Sequence, residues 1–127
     1  MLKRFYVYLS RELAPLHLPL SADLFGLTTT SLDDLGIGQI LVDAAPYFDY
    51  LAPMVYPSHF ASGFLNFSNP ATHPYEVVEH SMSSAAARLL ASSSTPNKLR
   101  PWLQDFDLGA NYTAEMVRAQ IEATYAA

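Results

Sequence analysis

Leu2, Phe5, Leu9, Leu13 and Leu16 recur at spacings of 3, 4, 4 and 3. That is the apolar stripe of an amphipathic helix, and it predicts a first helix ending near Pro15. The period then changes. In Leu18 to Phe25 (LPLSADLF), Leu18, Leu20, Ala22 and Leu24 alternate with Ser21, Asp23 and Phe25, which predicts a strand with one apolar and one chemically active face, stopped by Gly26.

A polar turn through Thr28 to Gly38 leads to a weak helical segment over Gln39 to Tyr47. A second strand is predicted over Tyr50 to Tyr56 (YLAPMVY). Pro53 lacks the N–H of a ladder residue, so it predicts a bulge or a position whose amide needs no partner. Ser58 to Thr72 reads as a long loop, the kind of segment that often carries function. Pro74 suits the first position of a third helix, with Glu76 and Glu79 in its early turns and Val78, Met82, Ala85, Ala86 and Leu89 on its buried face. Leu99 to Phe106 (LRPWLQDF) is the third predicted strand. A last helix runs from about Thr113, its N-cap, to Tyr125, with Val117, Ile121 and Thr124 to Tyr125 as its stripe.

Helices and strands thus alternate, which predicts an α/β fold with parallel strands joined by right-handed crossovers. The 127 residues allow one domain at most. Half of them are apolar, 13% aromatic and only 15% charged, enough core material to fold. Twelve acids against seven bases give a net charge of −5, and no basic run exceeds Lys3-Arg4. This argues against nucleic acid and anionic membrane surfaces as partners. The apolar stretch Phe5 to Leu9 is interrupted by Arg11 and Glu12, too soon for a signal peptide or a membrane span. The two Asn-X-Ser/Thr sequons, at Asn66 and Asn111, read as chance matches. Without cysteine there are no disulfides, thiolate zinc sites or thiol nucleophiles, and the compartment stays open.

In parallel α/β folds the chemistry gathers where strands run into their following loops. Here those ends carry Asp23; then Tyr56, Ser58 and His59; then Gln104, Asp105 and Asp107. Asp23 suits a general acid, a nucleophile or an acceptor for sugar hydroxyls, and equally a loop cap or a partner for a cation. Asp23 and Asp105, on strands separated by one other, would stand about 9 to 10 Å apart at the backbone. That overlaps the roughly 6.5 to 9.5 Å carboxyl separation of inverting glycosidases better than the roughly 5 Å of retaining ones. His59 can meet a substrate hydroxyl or be held within its loop. No histidine stands at i+2 or i+4 from it, so no metal site is predicted, and no nucleotide or cofactor motif is present. Tyr56 and Trp102 can form an aromatic wall for a sugar ring or fill a barrel interior, and the depth of Trp102 in its strand favours the interior. Gln104, nearer the rim, is better placed for a ligand. Arg100 is expected to pair with a carboxylate low in the strand.

DYLAPMVYPSHF (Asp49 to Phe60), NPATHPYEVV (Asn69 to Val78) and RPWLQDFDLG (Arg100 to Gly109), with SADLFGL (Ser21 to Leu27) and GIGQ (Gly36 to Gln39), together resemble a bacterial family of TIM-barrel proteins classed as glycosyl hydrolases of unknown substrate. The resemblance implies a partial (β/α)8 barrel over residues 1–127, with about three parallel strands, the fifth to seventh, and four helices. It also implies a carbohydrate partner, cleavage of a polysaccharide by paired carboxylates, and relatives that are secreted or envelope-associated. Asp23 and Asp105 become the catalytic candidates, and Tyr56, Ser58, His59, Trp102 and Gln104 the substrate-binding ones. Family members carry an upstream strand with an aspartate in an arginine- and proline-rich motif, and a closing strand with Gly-Trp and Trp-Asn. Neither is found here, so the expectation is a half-barrel without hydrolytic activity of its own. Its open sheet edges would favour self-association. The competing expectation is a carbohydrate-binding or structural module without catalysis.

Overall fold

The computed structural model describes residues 2–127. Helix α1 spans Leu2–Leu13 and tightens into a 3-10 turn, Ala14–Leu16, as Pro15 removes a helical donor. Strand β1 is Ser21–Phe25, α2 is Leu41–Ala44, β2 is Tyr50–Met54, α3 is Pro74–Ala91 and α4 is Ala114–Ala126. The weak helix expected over Gln39 to Tyr47 is therefore a single turn. The long loop holds three 3-10 turns, Pro57–His59, Phe64–Asn66 and Pro70–Thr72. No described helix is long and apolar enough to cross a membrane.

β1 and β2 pair in parallel, from Ser21 opposite Tyr50 to Phe25 opposite Met54, with no bulge. The mixed α/β expectation holds, but the sheet has two strands rather than three. Leu99 to Phe106 is no strand; it touches β2 through two isolated parallel bridges, Leu51 to Leu99 and Met54 to Trp102. Pro53 explains the interruption. The Arg100 N–H donates to the Leu51 carbonyl (2.8 Å), Trp102 N–H to the Pro53 carbonyl (2.9 Å) and Val55 N–H to the Trp102 carbonyl (3.1 Å). The rung missing between them is the bond Pro53 cannot donate to Arg100. The β1 ladder is spared because both polar groups of a strand residue point to the same side.

The strand starts at Ser21 rather than Leu18, and of the predicted apolar face Leu24 is buried, Leu20 and Ala22 are half-buried and Leu18 is exposed. Leu24, Leu51 and Val55 are at 1% exposure or less. They pack under Val77, Val78, Met82, Ala85 and Leu89 of α3, Leu41 and Ala44 of α2, and Tyr6 of α1, whose ring meets Phe48 edge-on at 5.3 Å. Each such aliphatic side chain contributes about 1.5 to 3 kcal/mol by leaving water. On α3 the face is as expected except that Ala86 is half-buried and Val77 and Ser81 join it.

On α4 the predicted stripe is displaced. Thr113 does cap the helix, accepting from Met116 N–H at 3.4 Å, but Ile121 and Tyr125 face outward and the fully buried residues are Gln120 and Ala123. The amide of Gln120 sets the rotation. Its Oε1 accepts from Gln104 N–H at 2.9 Å and its Nε2 donates to the Gln104 carbonyl at 2.7 Å. A buried amide completing the backbone of an edge segment outweighs an apolar stripe that can face a cleft instead.

The other sheet face, with Ser21, Asp23, Phe25, Tyr50, Arg100 and Trp102, has no helix over it and all six residues are exposed. Parallel sheets are ordinarily covered on both sides. This uncovered face and the loops above it form the candidate site.

Candidate functional site

Asp23 lies opposite Ala52 of β2, and Trp102 bridges to Met54 two residues further on. The indole reaches back across β2, and its Nε1 donates to Asp23 Oδ1 at 3.0 Å. Trp102 is 53% exposed: with none of the described residues packed over this face, its ring lies open beside a carboxylate. Ala52, the small residue in between, is 5% exposed. Toward the lower end of the same face, Arg100 lies over the Tyr50 ring, 5.0 Å from its centroid. Its Nη1 donates to the Asn97 and Leu99 carbonyls at 2.9 and 2.7 Å. Among the described residues no carboxylate pairs with it, contrary to expectation, because carbonyls and a ring face already occupy the guanidinium. The one ion pair among the described residues joins Lys3 to Asp43 at 2.7 Å, far from this face.

Above the strand ends Tyr56 stands between two rings, edge-on to His59 at 5.2 Å and to Phe106 at 5.3 Å. The His59 imidazole is exposed and forms no hydrogen bond with any described residue. Beside it a cleft of about 340 Å³ opens between Phe25, Gly26, Leu27, Met54, His59 and Phe60. Gly26 is demanded there by close approach, since a Cβ would collide with the Met54 carbonyl oxygen. The turn that follows is held from α3: Arg88 Nη1 donates to the Thr28 and Thr29 carbonyls, and Ser84 Oγ to Thr29 O at 3.0 Å. Burial holds the Arg88 pKa below the usual guanidinium range.

Gln104 does not reach solvent, contrary to its expected place at a ligand. It is 0% exposed; its Oε1 accepts from Ser58 N–H at 3.1 Å and its Nε2 donates to the Phe106 and Leu108 carbonyls at 3.0 and 3.2 Å. It is a splint between the loop after β2 and the loop after Trp102. Two more bonds join these loops, Asn69 Nδ2 to Gly109 O at 2.9 Å and Tyr112 OH to Ala71 O at 3.0 Å. Burial pushes the Tyr112 phenol up to about 12. Gly109, with φ of +72°, lies so close to Ala71 that a Cβ would meet the alanine methyl at 2.9 Å. The Ser58 hydroxyl is buried in this joint without a partner.

Asp105 is exposed, with no side-chain hydrogen bond to any described residue, and it follows Gln104, where the chain has left β2. The structure therefore brings Asp23 and Trp102 together, and Tyr56 with His59, and shows no hydrogen bond between Asp105 and Asp23. Asp107 serves its own loop, accepting from Tyr112 N–H at 2.7 Å. No group of three His, Asp or Glu side chains among the described residues could hold a metal ion. Nothing in the sequence pattern marks the cleft residues Leu27, Met54 and Phe60 or the positioning residues Arg88 and Gln120 as part of a site. The apolar Phe25 on an otherwise polar strand face was the available signal.

The family described as "Putative glycosyl hydrolase domain" matches residues 1–127, the full length of the chain. No curated protein and no solved structure matches it.

Proposed function

The chain belongs to the putative glycosyl hydrolase domain family, and from that premise we propose that its uncovered sheet face binds a saccharide, with Asp23 as one carboxylate of a glycosidic-bond-cleaving pair. On this reading the face is turned inward in a (β/α)8 barrel. Three features support that: the parallel order β1, β2, Leu99–Trp102; helices on the opposite side only; and side chains with free polar atoms above the strand ends.

The observation that carries the proposal is the Trp102–Asp23 contact. A half-exposed indole offers the apolar plate against which sugar C–H groups pack. The carboxylate hydrogen-bonded to its edge can accept from the hydroxyls of the same ring. Arg100 and Tyr50 extend the face downward, and Tyr56 and His59 extend it toward the loops.

Glycosidic cleavage needs a second carboxyl group, about 5 to 9.5 Å from the first. Asp105 is exposed and shares no hydrogen bond with Asp23, and on this reading the second carboxyl is another group. These 127 residues are therefore assigned saccharide binding, and hydrolysis only where a further carboxylate faces Asp23. Incubation with cellohexaose, chitohexaose, xylohexaose and maltohexaose, with products followed by chromatography, is expected to give no cleavage by the chain alone. Turnover abolished by Asp23→Ala would overturn that division of labour.

A further inference from the structure

The cleft at the C-terminal ends of β1 and β2 is unlike the polar face beside it, and its lining selects a different chemistry. Phe25, Leu27, Met54 and Phe60 give it aromatic, aliphatic and thioether walls, and His59 is the only titratable side chain on its surface. We propose that it is a binding site for a planar aromatic ring bearing an oxygen substituent, with the ring between Phe25, Met54 and Phe60 and the oxygen hydrogen-bonded to His59. In terms of the function proposed above, on which this assignment of substrate class rests, it would receive the aryl group of an aryl glycoside or of a phenol-substituted polysaccharide.

Three observations carry it. Size is the first: an apolar cavity of about 150 Å³ already accommodates benzene, and this cleft of about 340 Å³ leaves room for a substituted ring. The second is chemistry. Two phenylalanines, a leucine and a methionine in the lining favour an aromatic guest over a sugar, whose hydroxyls would lose water here without partners. The free imidazole supplies the single polar contact that a phenolic oxygen needs. Position is the third, since Phe25 shares the face of Asp23 and Met54 is the bridge partner of Trp102, so a ligand can span cleft and face without a break. The wall is also preformed, because Gly26 lies against the Met54 carbonyl and the following turn is pinned by Arg88 and Ser84.

The test uses 4-nitrophenol as probe, with cyclohexanol as the non-aromatic comparison and toluene as the ring without oxygen, titrated into the full chain by ligand-observed NMR. Saturable binding of 4-nitrophenol, tighter than that of cyclohexanol, is expected. Leu27→Glu, at the part-exposed rim, should weaken it about tenfold or more by charging an apolar wall, with an unchanged circular dichroism spectrum as the check on folding. His59→Ala should weaken 4-nitrophenol severalfold and leave toluene unchanged. Absence of saturable binding, or binding indifferent to Leu27→Glu, would overturn the assignment. Trp102→Ala keeps the two proposals apart: loss of oligosaccharide binding with aryl binding intact leaves the cleft standing, and aryl binding absent while oligosaccharides still bind removes the cleft alone.

Discussion

Trp102 Nε1 and Asp23 Oδ1 meet at 3.0 Å over the full width of the central strand, tying the first strand to the last paired segment on the side no helix covers. Because Trp102 is the only tryptophan, its emission reports this contact directly. Asp23→Ala is expected to shift the emission while lowering stability by less than about 1 kcal/mol, since both groups can turn to water. Steady-state fluorescence and urea melts check both halves. An unchanged spectrum would mean that the indole does not use Asp23.

Gln104 and Gln120 should behave oppositely to Asp23. Both amides are fully buried and satisfied by backbone groups. Truncating either to alanine strands those groups, and each is expected to cost about 1 to 3 kcal/mol or more as the cavity adds to it. Gln104→Ala should also speed amide exchange at Ser58, whose N–H it holds. Denaturant midpoints and hydrogen exchange measure the two effects.

The alternation in Leu18 to Phe25 placed Leu24 in the core and Asp23 outside it, and Pro74 and Thr113 marked real helix starts, because these signals are local. What stayed illegible depends on partners distant in sequence. Pro53 reads as a flaw in its own strand, yet its missing donor is felt by Arg100, on the neighbouring segment. Ile121 reads as core by period, and Gln120 displaces it only because the Gln104 backbone lies opposite. Gln104 looks like a ligand contact at a strand end until Ser58, Phe106 and Leu108 are seen to use its whole amide. The Trp102–Asp23 contact was illegible for the same reason, since it joins residues 79 positions apart across β2.

Gly26→Ala tests the close approach of the turn to β2. The added methyl would strike the Met54 carbonyl, which belongs to a strand backbone and cannot swing away. A loss of about 1 to 3 kcal/mol is expected, read as a lower melting temperature. The cleft lined by Gly26 and Met54 should loosen with it.

Tyr112 gives the fold an alkaline limit. Its phenol is raised by burial from 10.0 to about 12, so the folded state holds this proton more tightly than the unfolded chain. Its stabilising contribution is complete below pH 10 and is lost as pH rises from 10 through about 12. Absorbance at the tyrosinate band should show a late-titrating phenol that Tyr112→Phe removes, and the variant's stability should fall less steeply over that range. Tyr6, also raised by burial, remains as a second late group in both proteins.

If the face bearing Asp23 and Trp102 binds a saccharide, the indole will report it. The chain is titrated with cellohexaose, chitohexaose, xylohexaose and maltohexaose, followed by Trp102 emission and calorimetry. At least one of them is expected to bind saturably with a blue shift, as the half-exposed ring is covered, and Asp23→Ala to weaken this binding by about 1 to 2 kcal/mol. An emission unmoved by all four, or binding that survives Asp23→Ala and Trp102→Ala unchanged, would contradict it.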